Sequence, residues 1–309
     1  MKKHQILLLL LVSSLLCNYQ GKSQTAATRQ DLPPLYLNVD CVESVGASKE
    51  LIEQNNLTVI ANPELEKKYF GMKVPNHDNY LLKAVEKNWK LTKYEVFNGS
   101  YKSLSSPDPN GYYLFVSSEG TDAKGKKRYS HLISLMKGEE KFSQIYDKCI
   151  MGFGTYFLFE QGVPAQTIYD WGIKIIQENI ADRAEHGIQS TEQLASLNYT
   201  KHQGKKLIIA SGFIKKKLLA GDKLNEDVFP YPHKVVSDAE YANYLNEEDN
   251  ESLIYLPYPY RIYDVQSGSV VYCHEFKGAL AQNAAKNGWN YTKLNEDDLK
   301  RIAEALNKK

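Results

Sequence analysis

Two stretches of this chain share a hydrophobic pattern at a constant spacing of 140 residues. The apolar run at 113–116 falls on 253–256, and no gap is needed from about Val96 to Gly138. Residues that recur identically at this spacing include Tyr101 and Tyr241, Asn110 and Asn250, Lys137 and Lys277, and Gly138 and Gly278. A repeated hydrophobic pattern indicates a repeated structural unit. The chain is therefore predicted to be an α+β protein with two related mixed α/β modules.

Secondary-structure patterns support the same plan. The first module, at 33–160, is expected to hold strands at five places: 35–39, 57–61, 94–97, 112–117 and 128–136. The second module, at 205–309, carries strand patterns at 207–210 and 253–256 and a hairpin that turns at Ser267-Gly268. Ser237 and Glu240 have the spacing of a capping box. A C-terminal amphipathic helix is expected to begin after Asn295.

A helical connector at 161–204 is predicted to join the modules. Pro164 suits the first turn of a helix, and Gly187 suits its C-terminal end. The apolar positions between them follow one stripe at helical spacing: Tyr169, Ile173, Ile176 and Ile180. This long amphipathic helix is placed to brace both modules.

The N-terminus has the layout of a secretory signal peptide. A basic start is followed by an apolar run at 7–16 and by small residues before a cut at Gln24. We expect residues 1–23 to be cleaved and 24–32 to form a flexible lead. Such a chain is exported to the periplasm or the cell surface of a Gram-negative bacterium.

Lipid anchoring through Cys17 is the less favoured alternative. A lipobox has a small residue just before the cysteine, but Leu16 occupies that position. A membrane-spanning helix needs about 20 apolar residues, and the longest later apolar run, at 150–159, is too short. No transmembrane segment is therefore expected in the mature chain.

Charge and cysteine usage restrict the partners further. Removing residues 1–23 removes three lysines and no acidic residue, which changes the formal net charge from +1 to −2. This balance lacks the basic excess typical of nucleic-acid-binding proteins, so no nucleic-acid partner is expected.

The mature chain keeps Cys41, Cys149 and Cys273, and an odd number leaves at least one thiol without an intramolecular disulfide. If one bridge forms, Cys41–Cys149 is the preferred pair.

Three short motifs suggest chemistry that their surroundings do not support. The segment 120–127 matches the start of a phosphate-binding loop, but Lys127 replaces the Ser or Thr that holds magnesium, and a strand pattern follows. Ser134 and Lys137 match a nucleophile pattern that requires a helix, whereas they fall on a predicted strand. In Cys273-His274-Glu275 the strand alternation separates the histidine from the cysteine. We assign no catalytic residue, metal site or cofactor.

The remaining candidates are binding residues. The chain contains 22 tyrosines, and they are concentrated in the segment 255–260. Tyrosine side chains are suited to contacts with proteins and sugars. The candidate binding residues are Tyr255, Tyr258, Tyr260, Lys137 and Lys277.

The repeat, the tyrosine-rich segment and the lack of a catalytic motif favour a non-catalytic binding or assembly protein that contacts another envelope protein or a glycan. The alternative is a periplasmic hydrolase whose Asp or Glu residues are brought together by folding, since carboxylate pairs leave no short motif.

Overall fold

The computed structural model describes residues 44–64, 68–69, 72–73, 76–100, 103–104, 107–119, 130–138, 149–154, 162–188, 190–221, 223–246, 251–256, 261–274 and 293–307. Within these ranges the chain is a mixed α+β protein with six helices and two five-stranded mixed sheets. Several sequence-based predictions lie outside the described residues: the signal peptide at 1–23, the lead at 24–32, the strand at 35–39, Cys17, Cys41 and the loop at 120–127.

The first sheet is built from the residues before the long connector. Its elements are α1 (Ser44–Gln54), β1 (Asn56–Ala61), α2 (His77–Asn88), β4 (Lys93–Asn98), β5 (Tyr112–Glu119), β6 (Ser130–Lys137) and β7 (Cys149–Gly154), with a small hairpin of β2 (Lys68–Tyr69) and β3 (Met72–Lys73) before α2. The strand order is β4-β1-β5-β6-β7. β1 runs parallel to both β4 and β5, and β5, β6 and β7 form an antiparallel meander. The four strands predicted from 57–61 to 128–136 are confirmed within two residues.

The second sheet is built from the residues after the connector. Its elements are α4 (Thr191–Tyr199), β8 (Lys206–Ala210), β9 (Leu219–Ala220), β10 (Lys223–Leu224), β11 (His233–Val236), α5 (Asp238–Asn246), β12 (Ser252–Leu256), β13 (Arg261–Asp264), β14 (Val270–Cys273) and α6 (Glu296–Leu306). The strand order is β11-β8-β12-β13-β14. β8 runs parallel to β11 and β12, and the last three strands are antiparallel. Order and directions are those of the first sheet.

The constant spacing of 140 residues fits only part of this correspondence. Tyr113 pairs with Thr58 in β1, and Leu253, at the expected spacing, pairs with Leu207 in β8. Beyond that point the spacing is lost, because β13 follows β12 after a much shorter connection than the one between β5 and β6. Lys137 ends β6, whereas the corresponding strand ends at Asp264. The crossover helices also differ, since α2 precedes β4 and α5 follows β11.

The connector contains α3 (Ala165–His186), which begins after Pro164 and ends at Gly187 with φ of 65°. Its buried side chains are not confined to the predicted stripe, because Trp171, Gly172 and Ile175 are buried as well. A Cβ on Gly172 would lie 2.6 Å from Ile133 Cδ1, so the helix packs closely against the first sheet.

The long helix α3 also contacts helix α5 and the second sheet. Trp171 Nε1 donates to the Leu245 carbonyl at 3.0 Å. The Trp171 ring meets Tyr263 edge to face, with ring centroids 6.3 Å apart. Buried apolar residues of both sheets and of α3 form one hydrophobic core.

The ends of two further helices agree with their sequence signals. Ser237 Oγ accepts from the Glu240 amide at 3.3 Å, and Glu240 Oε2 accepts from the Ser237 amide at 3.0 Å, so the predicted capping box is confirmed. Asn295 caps α6 reciprocally with Asp298. In the described part of the chain, each helix is either too short or too polar to cross a bilayer.

Candidate functional site

Of the tyrosine segment predicted at 255–260, the structure describes Tyr255 and Leu256. Tyr255 lies in β12, its side chain is fully buried, and its carbonyl accepts a 2.7 Å hydrogen bond from Tyr241 Oη. The prediction of Tyr255 as a contact residue is corrected, because β12 is central in the sheet and apolar on both faces. Tyr258, Tyr260 and Lys277 lie outside the described residues.

Lys137 has an intramolecular partner. Its Nζ donates to both carboxylate oxygens of Glu50 in α1, at 3.0 and 2.7 Å, and lies 5.8 Å from the centre of the Tyr112 ring. The hydrogen bond from Lys137, with a smaller one from Tyr112, lowers the pKa of Glu50. The ion pair therefore ties helix α1 to the end of β6, and the ammonium group stays partly exposed.

The next residue, Gly138, must be a glycine for a steric reason. Its amide donates to the Gly111 carbonyl at 2.8 Å, and a Cβ would lie only 1.8 Å from the Asp108 carbonyl oxygen. A close approach of two backbone segments therefore requires glycine here.

The densest polar cluster lies at the corresponding strand ends of the second sheet. We call it the edge network, and it consists of Glu178, His202, Lys205, Asp264, Ser267 and Ser269. Asp264 ends β13, and His202 and Lys205 precede β8. Because β13 is antiparallel to β12, and β12 is parallel to β8, the end of β13 and the start of β8 lie on the same side of the sheet. In the name edge network, edge means this border of strand ends and not an edge strand. Glu178 reaches the cluster from α3.

Asp264 is the centre of the edge network. Lys205 Nζ donates to Oδ2, and His202 Nδ1 lies 3.1 Å from the same oxygen without hydrogen-bond geometry. The Ser267 amide and hydroxyl donate to Oδ1 at 2.8 and 2.9 Å. Burial alone would raise the pKa of Asp264, but these neighbours hold it well below its usual range. Asp264 is therefore a buried, ionised and fully coordinated carboxylate.

Two serines connect Asp264 to a second carboxyl group. Ser267 Oγ lies 2.9 Å from Ser269 Oγ, and Ser269 Oγ donates to Glu178 Oε1 at 3.1 Å. Burial, followed by repulsion from Asp182, raises the pKa of Glu178, which is opposed by Ser269, Lys201 and His202. The environments thus displace the two carboxyl pKa values in opposite directions, a pattern shared with acid and base pairs of enzymes.

The edge network nevertheless lacks the contacts of a nucleophilic site. A serine nucleophile needs a hydrogen bond to a base such as histidine, whereas both serines here bond to carboxylates or to each other. Asp264 is almost completely inaccessible and has partners on both oxygens. The arrangement is therefore suited to fixing the edge of the sheet.

Sequence reasoning missed the edge network because its members come from three separate segments with no common motif. The one local signal is Asp264, followed after two residues by Ser267, a spacing typical of an aspartate that accepts from a nearby turn amide. The turn at Ser267-Gly268 was predicted, but its link to Glu178 depends on the packing of α3.

A different surface stands out at the edge of the first sheet. β4 is an edge strand, and among the described residues it pairs only with β1. Tyr94 and Val96 are its exposed apolar side chains, at 37% and 49% exposure. They share the face of Leu57 and Val59, which are fully buried. β4 therefore combines an open backbone edge with exposed apolar side chains.

The corresponding edge strand of the second sheet, β11, is better covered. The His233 ring packs edge to face on Phe229 at 5.2 Å between centroids. Lys234 Nζ lies 3.1 Å from Tyr244 Oη and 5.5 Å from the centre of its ring. Val236 is buried. Long side chains and the preceding loop thus shield β11, whereas Tyr94 and Val96 of β4 stay exposed among the residues that the structure describes.

The other reactive residues named from the sequence give no site. Ser134 and Lys137 lie on strand β6, so they point to opposite faces as expected. Cys273 is buried at the end of β14, and His274 Nε2 lies 3.1 Å from Arg301 Nη1. Within the described ranges, no three His, Cys, Asp or Glu residues are grouped closely enough to hold a metal ion.

Comparison with known proteins gives no assignment. No family model, curated protein or solved structure matches this chain.

Proposed function

We propose that this chain is an exported cell-envelope protein of the binding or assembly type, without catalytic activity, that contacts another envelope protein or a glycan. The observation that carries the proposal is the open edge of β4 with its exposed Tyr94 and Val96. Exposed edge strands accept an extended polypeptide as an additional strand, and natural proteins cover or blunt edges that must stay free. The favoured partner chemistry is therefore an extended protein segment.

The backbone of β4 is suited to this use. The Lys93 amide donates to the Asn55 side chain at 3.0 Å, and the Gly99 amide donates to the Ala61 carbonyl at 3.3 Å, so odd-numbered residues face β1. Because backbone groups alternate in direction along a strand, Tyr94, Val96 and Asn98 direct their amides and carbonyls outwards. These groups supply the hydrogen bonds for an added strand.

The two sheets are, in this proposal, copies of one duplicated unit braced by the long helix α3. Identical strand order and directions support duplication, and the contacts of α3 with both sheets support bracing. Duplication followed by divergence explains why one edge strand is shielded and the other is open. In this proposal the signal peptide predicted at 1–23 directs export, so that the β4 edge meets its partner outside the cytoplasm.

The proposal is tested by capture from the native envelope with mild crosslinking and mass spectrometry. Val96→Pro removes an outward amide without removing a bond to β1, and we expect it to abolish capture of the partner. Val96→Thr keeps the amide and the shape of the side chain, so it serves as the matched control and retains the partner. A partner retained equally by both variants would place the contact elsewhere.

One observation favours the alternative of a periplasmic hydrolase. The opposite pKa displacements of Glu178 and Asp264 across a serine bridge resemble a pair tuned for acid and base catalysis. Screening glycan and peptide substrates with the wild-type protein and Glu178→Gln tests it. Turnover that is lost in Glu178→Gln would establish the hydrolase, and absence of turnover leaves the edge network its structural role.

A further inference from the structure

We infer that the strand added to β4 is β4 of a second copy, running antiparallel about a two-fold axis at Tyr94. This inference rests on the proposed binding function of the β4 edge and takes the envelope protein that occupies it to be a second copy of this chain. The result is a continuous sheet across two molecules, and symmetric pairs of this kind are the commonest protein oligomers.

The direction of the backbone groups limits the registers. Opposed residues in an antiparallel pair must both face the partner or both face away. Every symmetric register that is centred on a residue meets this condition, and those centred on the middle of β4 have Tyr94, Glu95 or Val96 at the axis.

Charge selects among these registers. A centre at Glu95 places two carboxylates directly opposite each other, and a centre at Val96 places Glu95 opposite the apolar Phe97. A centre at Tyr94 places Lys93 of each molecule opposite Glu95 of the other and pairs the two exposed Tyr94 rings. Opposite charges and aromatic pairs stabilise cross-strand neighbours, whereas like charges destabilise them. The sequence of β4 is therefore self-complementary in one register.

The exposed side chains agree with this register. Lys93 and Glu95 lie on one face of β4, and Tyr94 and Val96 lie on the other. Helix α2 packs against β1 and β5, which leaves the face of Tyr94 and Val96 uncovered. The paired strand buries Tyr94 against Tyr94, and Val96 reaches the start of the partner strand beside Thr92, which is already buried and accepts from Trp89 Nε1. β11 does not offer the same surface, since its side chains are already engaged.

Charge reversal tests the register in the exported full-length protein. We expect Lys93→Glu alone, or Glu95→Lys alone, to weaken self-association by roughly 10-fold or more, because each replaces two attractive pairs with two repulsive ones. The double variant K93E/E95K restores the wild-type affinity. An equimolar mixture of the two single variants forms a heterodimer. Sedimentation equilibrium over a concentration series measures each species.

Crosslinking gives an independent readout. Directly opposed residues in a hydrogen-bonded antiparallel pair have Cα atoms about 5.5 Å apart, which is within disulfide range. Tyr94→Cys is therefore expected to give an intermolecular 94–94 disulfide under mild oxidation, identified by peptide mapping. Val96→Cys, which faces Thr92 in this register, gives none.

The outcomes separate the two proposals. A wild-type protein that stays monomeric but captures an envelope partner through Val96 overturns self-pairing and keeps the binding function. A dimer unaffected by charge reversal also overturns self-pairing at β4. If there is neither a dimer nor a partner sensitive to Val96→Pro, both proposals fail.

Discussion

Each sheet has an ion pair at the same strand ends, but the acidic and basic residues have exchanged positions. In the first sheet the acid Glu50 precedes β1 and the base Lys137 ends β6. In the second sheet the base Lys205 precedes β8 and the acid Asp264 ends β13. Because strand order and directions are the same, topology brings the same two segments together in both. Topology therefore sets where the pair lies and leaves its polarity free.

The pairs also differ in their access to water. Lys137 and Glu50 keep 27% and 36% of their side-chain exposure, whereas Lys205 keeps 19% and Asp264 only 1%. Exposed ion pairs contribute little to stability, whereas removing one partner of a buried pair leaves an uncompensated polar group. We therefore expect the Lys205–Asp264 pair to contribute strongly to the stability of the fold and the Lys137–Glu50 pair to be nearly dispensable.

The largest effect is expected from Asp264→Asn. The substitution keeps the shape but removes the charge that Lys205 and the Ser267 amide and hydroxyl coordinate. We expect the free energy of unfolding to fall by about 3 kcal/mol, as for breaking a buried pair. Urea unfolding at neutral pH, followed by circular dichroism, measures the change. A loss no larger than that of Lys137→Met would contradict the comparison.

The pH dependence is the control for this assignment. Because the folded-state pKa of Asp264 is lowered, its contribution is fully present above the unfolded pKa of about 3.9. It is lost as the pH falls from there through the lower folded pKa. The stability difference between the wild type and Asp264→Asn should therefore shrink on acidification below about pH 4. A difference that is constant with pH would mean that the cost is steric.

The next largest losses of stability are expected from substituting Gly138 and Gly268, the glycines that follow the two strand ends. Gly138→Ala places a Cβ against the Asp108 carbonyl, and we expect about 2 kcal/mol of destabilisation from overpacking. Gly268 has φ of 81°, so Gly268→Ala is expected to cost about 1 kcal/mol for backbone strain. Thermal and urea unfolding of both variants would rank them. The reverse order would show that the first edge can shift to accept the methyl group.

Local pattern was sufficient for much of the fold. The strands at 57–61 and 112–117, the cap at Ser237 and the helix after Asn295 follow from residues that are close in sequence. The constant spacing failed beyond β12, because hairpin length varies without changing strand order. Tyr255 was placed on a surface since tyrosine is amphipathic, but its central strand buries it.

The edge network and the open edge were beyond sequence reasoning for a different reason. Glu178 reaches Ser269 only because α3 packs between the modules, and this packing involves residues about 90 positions apart. Val96 alternates like any half-buried strand residue. Its exposure depends on α2 covering β1 and β5 instead of β4.

A smaller and opposite effect is expected from Glu178→Gln. Burial and Asp182 raise the pKa of Glu178, so its stabilising contribution is present below the unfolded pKa and is lost as the pH rises through the folded value. Glutamine can still accept from Ser269 and carries no charge. We expect the variant to be about 1 kcal/mol more stable than the wild type at neutral pH, with the gain vanishing near pH 4. Urea unfolding at both pH values measures it, and a loss at neutral pH would contradict the assignment.

The smallest effect is expected at the first edge, from Lys137→Met. Methionine keeps the length and apolar body of lysine over the Tyr112 ring and removes only the half-exposed pair with Glu50. We expect a loss of about 0.5 kcal/mol that diminishes in high salt, because an exposed pair is screened. A double-mutant cycle with Glu50→Gln isolates the pair energy in urea unfolding experiments. A coupling as large as that between Asp264 and Lys205 would mean that exposure does not separate the two edges, and the energetic contrast between the modules would have to lie elsewhere in the fold.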